Sequence, residues 1–280
     1  MKKFFMCAVA VAATMSLTSC LSEEEVNLEK GNMGRIALTI SAENELTTRA
    51  VQTVSSPDGW YAFVNGPTTY GTAASHRAIG SDLADFDFAY GSYTVTVSSH
   101  AKLDDALTGK GEAYYEGWGK QLSNDTSGDS IAVTVVAGST SHVYATCGKA
   151  KNARLAIVNA GFSGTINSVT AAAKLSDNTT ARQVSFTAED VKSTEDASTK
   201  AFFRAGESVT FTFNYNIGTH SNKTAPITMT MGGAGTRNVL SIKSDANGNI
   251  QIMNISYDDA FDEGNVTESI TISAETGEKL

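Results

Sequence analysis

The stretch NVLSIKSDANGNIQIMNIS, residues 238–256, carries an apolar segment on each side of Asn247-Gly248. In both segments apolar and polar side chains largely alternate, and a two-residue period places alternate side chains on one face of a β-strand. An Asn-Gly pair tolerates the positive φ angles that a tight turn requires. The stretch therefore predicts a β-hairpin.

The same period recurs along the chain, for example in GRIALTIS, where Ile36, Leu38 and Ile40 alternate with other residues. Further predicted strands cover residues 60–64, 93–97, 131–136, 143–147, 153–159, 183–187, 208–216 and 227–231. No segment of helical length shows a sustained 3.6-residue apolar stripe. The pattern predicts an all-β fold of two tandem antiparallel β-sandwich domains.

The length of 280 residues supports two domains, because single domains usually have about 100–150 residues. The strand pattern is interrupted at CGKAKN, residues 147–152, which we predict to be a linker. The expected domains are an N-terminal β-sandwich at 34–149 and a C-terminal β-sandwich at 150–280.

The N-terminus has the layout of an export signal. Two lysines precede the charge-free apolar run Phe4–Leu17, which is shorter than the roughly 20 residues that a bilayer-spanning helix needs. The next residues, LTSC, resemble the lipobox of bacterial lipoproteins. This resemblance implies a signal peptide over 1–19 and a lipid-modified Cys20, with an ordinary secretory signal as the alternative.

An acidic tract follows the predicted lipidation site. Ser22, Glu23, Glu24 and Glu25 resemble the signal that sends Bacteroidetes lipoproteins to the outside of the outer membrane. The resemblance implies a lipid-anchored, surface-exposed protein with an acidic anchor linker at 20–33. A solvated linker without a targeting role is the alternative.

Charge and cysteine content exclude some classes of function. The chain has 21 Lys and Arg against 30 Asp and Glu, a net charge of −9, and no basic cluster to neutralise phosphates, so nucleic-acid binding is not expected. Of the three cysteines, Cys7 lies in the predicted signal and Cys20 is the predicted lipid site. The remaining Cys147 cannot form an intramolecular disulfide and is expected to be a small buried side chain.

Four stretches together resemble fimbrillin-like surface lipoproteins of Bacteroidetes. They are GRIALTISAENELTTRA (34–50), FDFAYGSYTVTVSS (86–99), AYYEGWGKQL (113–122) and HVYATCGKAKNARLAIV (142–158). Within that group they are most similar to lipoproteins of unassigned function. The resemblance implies two transthyretin-like sandwiches acting in adhesion or pilus assembly, with other fimbrial subunits or host and bacterial surface ligands as partners.

The same resemblance implies a polymerisation route. Pilins of this type are cut after an arginine and then exchange a strand with a neighbour, and the matching bond here joins Arg49 to Ala50. A donor strand needs a two-residue apolar period near a chain end, which Ile270, Ile272 and Ala274 provide. The alternatives are a linker arginine and an ordinary last strand of the sandwich.

A surface glycan-binding lipoprotein is the second functional hypothesis. The long connection 99–129 contains Tyr114, Tyr115 and Trp118, and exposed aromatic rings beside polar groups are surfaces on which sugars stack. Alternatively, these rings pack over the sandwich edge, or the connection contains a short strand.

An enzyme is not predicted, and neither a cofactor nor a metal is expected. The four histidines are scattered, and no HExxH or GxSxG motif is present. One modification is a candidate: Asp129-Ser130-Ile131 resembles the motif O-glycosylated in exported Bacteroidetes proteins, with Ser130 as the acceptor.

Overall fold

The structure is a computed structural model that describes residues 30–43, 51–54, 59–121, 132–175, 181–257 and 264–280. Nearly all of its regular secondary structure is strand, which confirms the predicted all-β fold. The strands of the first half are β1 Met33–Glu43, β2 Val51–Val54, β3 Tyr61–Asn65, β4 Arg77–Ala78, β5 Phe88–Ala89, β6 Gly91–Ser98, β7 Glu116–Gln121, β8 Ala132–Val135 and β9 Thr140–Cys147.

The second half contains nine further strands. They are β10 Asn152–Asn159, β11 Thr165–Lys174, β12 Ala181–Thr187, β13 Lys200–Arg204, β14 Ser208–Ile217, β15 His220–Thr230, β16 Arg237–Ser244, β17 Ile250–Tyr257 and β18 Asn265–Ile272. The helices are short: α1 Gly80–Ala84, α2 Leu103–Ala106, and 3-10 turns at Lys30–Asn32 and Ala188–Asp190. Among the described residues, no helix is long and apolar enough to cross a membrane.

The strands of the first half form one nine-stranded sheet in the order β2-β1-β9-β7-β6-β3-β4, to which β5 and β8 are attached. Its inner face supplies alternate apolar side chains, such as Val64, Val95 and Val143, to one buried cluster. Residues from α1 and from the connections beside it, including Tyr70 and Leu83, complete this cluster.

The second half has two sheets, a five-stranded one in the order β13-β10-β16-β17-β18 and a four-stranded one in the order β12-β11-β14-β15. Phe186, Phe203 and Phe211 are fully buried in the cluster that these strands share. The two clusters draw on residues 36–147 and 153–272. They lie on either side of the proposed domain boundary at 149/150, which stays a prediction.

Two strand pairings differ from the expected antiparallel pattern. β1 runs parallel to β9, and β10 runs parallel to β16, whereas the other ladders between strands are antiparallel among the described residues. Each half thus places its first strand beside a strand that comes much later in the chain. A two-residue period sets the face of a strand but not the direction of its neighbour, which is why the sequence pattern missed both pairs.

Every strand predicted from the sequence overlaps an observed one. The hairpin of residues 238–256 is β16 and β17, but five residues, 245–249, connect the strands. Only Gly248 of the Asn-Gly pair has a positive φ, of 80°. Asp245 organises the connection, because its carboxylate accepts hydrogen bonds from the backbone N–H groups of Asn247 and Asn249, both at 2.8 Å.

Candidate functional site

Several predicted site residues lie outside the described residues. They are Cys20, Ser22, Glu23, Glu24, Glu25, Arg49, Ala50 and Ser130. Lipidation, surface export, processing and O-glycosylation at these positions stay predictions.

Strand β1, which precedes the predicted cleavage bond, lies inside its sheet. It pairs with β9 along residues 35–42 and, on the other side, with β2 along residues 40–43. Ile36, Leu38 and Ile40 are 1%, 7% and 0% exposed and belong to the buried cluster of the first half. Loss of β1 would therefore expose the edge of β9 and an apolar groove beside it.

The donor-strand candidates lie on β18, an edge strand of the five-stranded sheet. Ile270 and Ile272 are 9% and 1% exposed, and Ala274 packs against the same cluster. The predicted common face of these three residues is thus present, and it is directed into the core of the chain's own second half. Their role as donors stays a prediction.

The last residues of the chain fold back along β18. The N–H of Ser273 donates to the carbonyl of Glu278 at 2.8 Å, and the N–H of Leu280 donates to the carbonyl of Thr271 at 2.9 Å. The tail thus pairs with the end of β18 on the side where no other described strand lies.

The predicted aromatic platform is only partly exposed. Tyr114 is 5% exposed, and its hydroxyl donates to Glu116 at 3.1 Å, so its inclusion in a stacking surface was wrong. Tyr115 is half-buried against the first cluster. Trp118 alone of the three is well exposed, at 52%.

Trp118 is not in a loop, because the long connection contains a strand, β7. In the sequence of β7, Trp118 lies between Gly117 and Gly119. These two glycines are buried on the core-facing side, so the side chain of Trp118 is on the opposite face. A Cβ at Gly117 would come within 2.0 Å of the carbonyl oxygen of Thr146 on β9. Glycine is therefore required for β7 to lie this close to β9, and Trp118 is consequently held on the outer face.

The rest of the connection, residues 99–115, contacts the second half of the chain. The side chain of Asn152 joins them: its amide donates to the carbonyl of Glu112 at 2.8 Å, and its oxygen accepts from the N–H of Tyr114 at 3.0 Å. Arg182 donates to the carbonyl oxygens of Gly109 and Phe202, both at 2.8 Å. We call residues 99–115 the strap.

Lys110 makes a short ionic contact between the strap and the second half. Its ammonium lies 2.7 Å from the Asp190 carboxylate, which also accepts from the hydroxyl of Thr199 at 2.6 Å and from the N–H of Thr187 at 2.7 Å. Partial burial alone would raise the pKa of Asp190, but these hydrogen bonds outweigh it and hold that pKa well below its usual value. The carboxylate is therefore charged at neutral pH and joins the strap to the second half.

The described residues offer little for nucleophilic or metal chemistry. Cys147 is buried as expected, and burial, reinforced by the charge of Glu116, raises the pKa of its thiol to about 12. A thiol with such a pKa is a poor nucleophile at neutral pH. No group of three or more His, Cys, Asp or Glu side chains in the described ranges is placed to hold a metal ion.

Comparison with known proteins gives structural neighbours only. No family model matches the chain, and no curated protein does. A "putative cell adhesion protein" from Bacteroides fragilis is 14% identical, with a TM-score of 0.39 over 79% of this chain and 97% of that one. A fimbrial assembly protein from Parabacteroides distasonis is 9% identical, with a TM-score of 0.38 over 82% of this chain and 98% of that one.

A fimbrial protein from Bacteroides vulgatus is 10% identical, with a TM-score of 0.30 over 71% of this chain and 92% of that one. These neighbours belong to the group of Bacteroidetes fimbrial and adhesion proteins that the sequence motifs indicated. Because each TM-score lies below 0.5, the likeness assigns neither a function nor residue roles to this chain.

Proposed function

We propose that this protein is a lipid-anchored cell-surface subunit that acts in adhesion or fimbria assembly, by strand exchange that proteolysis triggers. The observation that carries the proposal is the position of β1. This strand is paired on both sides and fills the apolar core, and the predicted cleavage bond Arg49–Ala50 lies in the connection between β1 and β2.

Cleavage at this bond would leave β1 held only by non-covalent contacts. Its hydrogen bonds to β9 and the burial of Ile36, Leu38 and Ile40 would keep it in place until another strand competes for the groove. An incoming strand would regain the backbone hydrogen bonds and fill the same pockets with alternate side chains. Each buried aliphatic side chain contributes about 1.5–3 kcal/mol, so the competitor needs a matching apolar period.

The anchoring part of the proposal concerns the N-terminus. A lipid on Cys20 and surface routing through Ser22–Glu25 would hold the subunit at the outer membrane before cleavage. Since Cys20 precedes Arg49 in the chain, a cut there would also separate the assembling part from its anchor. An anchor subunit, by contrast, would keep both its lipid and β1.

The test is limited proteolysis of the chain that starts at residue 21. Brief treatment with a trypsin-like protease should yield a new N-terminus at Ala50, and an unheated denaturing gel should show a heat-sensitive ladder of oligomers. Arg49→Ala should abolish both results. Arg77→Ala should abolish neither; the Arg77 side chain is half-exposed, and its guanidinium lies 3.2 Å from Asp82 and over the ring of Tyr70. A chain that is never cut there, or that stays monomeric after a clean cut, contradicts the polymerising function.

Glycan binding is the second candidate function, and the exposure of Trp118 favours it. A ring that is 52% exposed on the outer face of a sheet can stack against a sugar. On a glycan array, Trp118→Ala should lose binding, whereas the control Val136→Ala, at a position 53% exposed, should retain it. If the unmodified chain binds no glycan, this candidate fails.

A further inference from the structure

A polar depression lies beside the beginning of β1, between that strand, the segment before β5 and the turn that joins β8 to β9. It has a volume of about 280 Å³. Backbone hydrogen bonds join its walls: the N–H of Arg35 donates to the carbonyl of Ser139 at 2.9 Å, and the N–H of Gly138 donates to the carbonyl of Met33 at 2.8 Å. We call it the β1 depression, and these bonds form it without a ligand.

The side chains that line the β1 depression offer both hydrogen-bond donors and acceptors. The guanidinium of Arg35 only donates, the carboxylate of Asp87 only accepts, and the hydroxyl of Thr140 can do either. Nε of Arg35 lies 3.5 Å from Oδ1 of Asp87, and the two side chains are 50% and 41% exposed, so both can reach a ligand. Adjacent hydroxyl groups of a sugar, each a donor and an acceptor, match this arrangement.

The charges and the size of the β1 depression narrow the class of ligand. An anionic ligand would meet Asp87 and also Asp85, which lies 3.9 Å from the same guanidinium, whereas a cationic ligand would meet Arg35. An apolar ligand would take water from these polar groups without replacing its hydrogen bonds. The volume of about 280 Å³ is just below the roughly 300–1,000 Å³ of ordinary small-molecule pockets. The depression therefore suits a single neutral sugar ring.

Trp118 lies on the same outer face of the sheet, near the other end of β9. The residues of β9 alternate between buried and outward-facing positions, and the outward-facing ones are Thr140, His142, Tyr144 and Thr146. Thr140 pairs with Arg35 on β1, and Thr146 pairs with Trp118 on β7. Six residues of strand separate these two pairs, which is about 20 Å. The outer face of β9 thus connects the β1 depression to the exposed ring.

We infer that this face binds one neutral oligosaccharide, with one sugar in the β1 depression and another sugar of the same chain stacked on Trp118. The inference rests on the candidate glycan-binding function and adds to it a second contact and the class of ligand. Trp118 supplies a flat apolar surface, and Arg35, Asp87 and Thr140 supply recognition of hydroxyl groups. A single sugar can make only one of these contacts, so a chain that spans both should bind more tightly than its component sugars.

A length series of neutral oligosaccharides tests the inference. The uncut chain that starts at residue 21 is used, because β1 contributes Arg35 to the β1 depression. On an array that carries each oligosaccharide together with its shorter fragments and single sugars, only the longer members of a series should be retained. For a retained oligosaccharide, titration calorimetry should show that Asp87→Asn and Thr140→Val each raise the Kd about tenfold, as expected for the loss of one hydrogen bond to the ligand. Trp118→Ala should raise it by at least as much.

Asp85→Asn is the matched control. It removes the same charge beside the same guanidinium, but Asp85 is 79% exposed and is not among the residues that line the β1 depression. It should change the Kd by less than about twofold. Both asparagine variants should fold, because exposed ion pairs contribute little to stability, and circular dichroism checks this.

The outcomes separate this inference from the glycan-binding function on which it rests. Binding that Trp118→Ala, Asp87→Asn and Thr140→Val all weaken, and that Asp85→Asn leaves unchanged, supports both. Binding that depends on Trp118 but on neither Asp87 nor Thr140 overturns the inference and leaves glycan binding standing. Single sugars that bind as tightly as the chain, equal effects of Asp85→Asn and Asp87→Asn, or retention of anionic glycans alone also overturn it. A chain that retains no glycan of any length contradicts both.

Discussion

The substitution Asp190→Asn is expected to weaken the connection between the strap and the second half of the chain. The Asp190 side chain is 14% exposed and accepts hydrogen bonds from Lys110, Thr199 and Thr187. An asparagine oxygen can keep the bonds from Thr187, so the loss falls on those from Lys110 and Thr199. Hydrogen bonds to charged groups contribute about 1.5–3 kcal/mol each. Since Lys110 is 35% exposed, solvent screening reduces its share to about 1 kcal/mol, and the free energy of unfolding at pH 7 should fall by about 2.5–4 kcal/mol.

The same carboxylate gives the stability a defined pH dependence. The pKa of Asp190 is lower in the folded chain than in the unfolded chain, so the unfolded chain binds the proton more readily. Its contribution is therefore fully present above the ordinary Asp pKa of about 4 and is lost as the pH falls through the lowered folded value. Asp190→Asn should lose less stability on acidification from pH 5 to pH 3 than the unmodified chain.

Urea unfolding followed by circular dichroism measures both effects. Lys110→Met completes a double-mutant cycle, which should give a coupling energy of about 1 kcal/mol between the two side chains. Asp196→Asn, at an exposed position in the same region, is the control and should be neutral at both pH values. Equal stability of Asp190→Asn and the unmodified chain at pH 7, or equal acid sensitivity, would refute the reasoning.

Three further outcomes are expected from other contacts. Gly117→Ala should lower the free energy of unfolding by about 3 kcal/mol or more in urea, because its Cβ would overlap the Thr146 carbonyl oxygen. The control Gly148→Ala should be tolerated, because a Cβ at Gly148 meets no atom within 4 Å. Trp118→Ala should change the midpoint of thermal unfolding little, since the ring is half exposed; a large loss would show that it packs as a core residue. Cys147 should resist iodoacetamide at pH 8 in the folded chain, because burial raises the pKa of its thiol to about 12, and it should react once urea unfolds the chain. Rapid labelling of the folded chain would contradict this burial.

The sequence predicted strands where local pattern and burial agree. Ser208–Ile217 alternates strictly between polar and apolar residues, and the structure buries Val209, Phe211, Phe213 and Tyr215 on one face. Such a strand has one buried face, so its alternating pattern is present in the sequence whichever strands pair with it. The all-β class followed from several strands of this kind.

Strands that depend on tertiary contacts were not predicted. β7 reads EGWGKQ, and its glycines disfavour a strand locally, yet they are required because Gly117 and Gly119 lie against β9 and β6. β11 contains Asn167, Ser168 and three successive alanines, and it becomes a strand because β12 and β14 pair on both sides. In both cases the deciding neighbours lie outside the segment itself.

In the candidate site, too, the sequence predicted local features and missed those that depend on tertiary contacts. Sequence alone identified β1, the donor candidates Ile270, Ile272 and Ala274, and Trp118 as features of interest. The sequence analysis grouped Trp118 with Tyr114 because the two residues are close in the chain. In the structure, Trp118 lies on the outer face of β7 and is exposed, whereas Tyr114 belongs to the strap and is buried. Proximity along a chain says little about shared exposure when a strand begins between the residues.

The strap also bears on the proposed assembly. The groove that β1 would vacate belongs to the first half, and the candidate donor strand β18 belongs to the second half of the same chain. In a strand-exchanged chain of subunits, the connection between the two halves therefore sets the spacing between successive exchange sites. Lys110, Arg182 and Asn152 supply that connection in addition to the covalent linker. Asp190→Asn should accordingly leave cleavage and oligomer formation intact and make the oligomers more flexible. Small-angle scattering of the purified dimer would detect this change as a broader distribution of intersubunit distances. A dimer as rigid as that of the unmodified chain would show that the contact between Lys110 and Asp190 does not restrain the two halves.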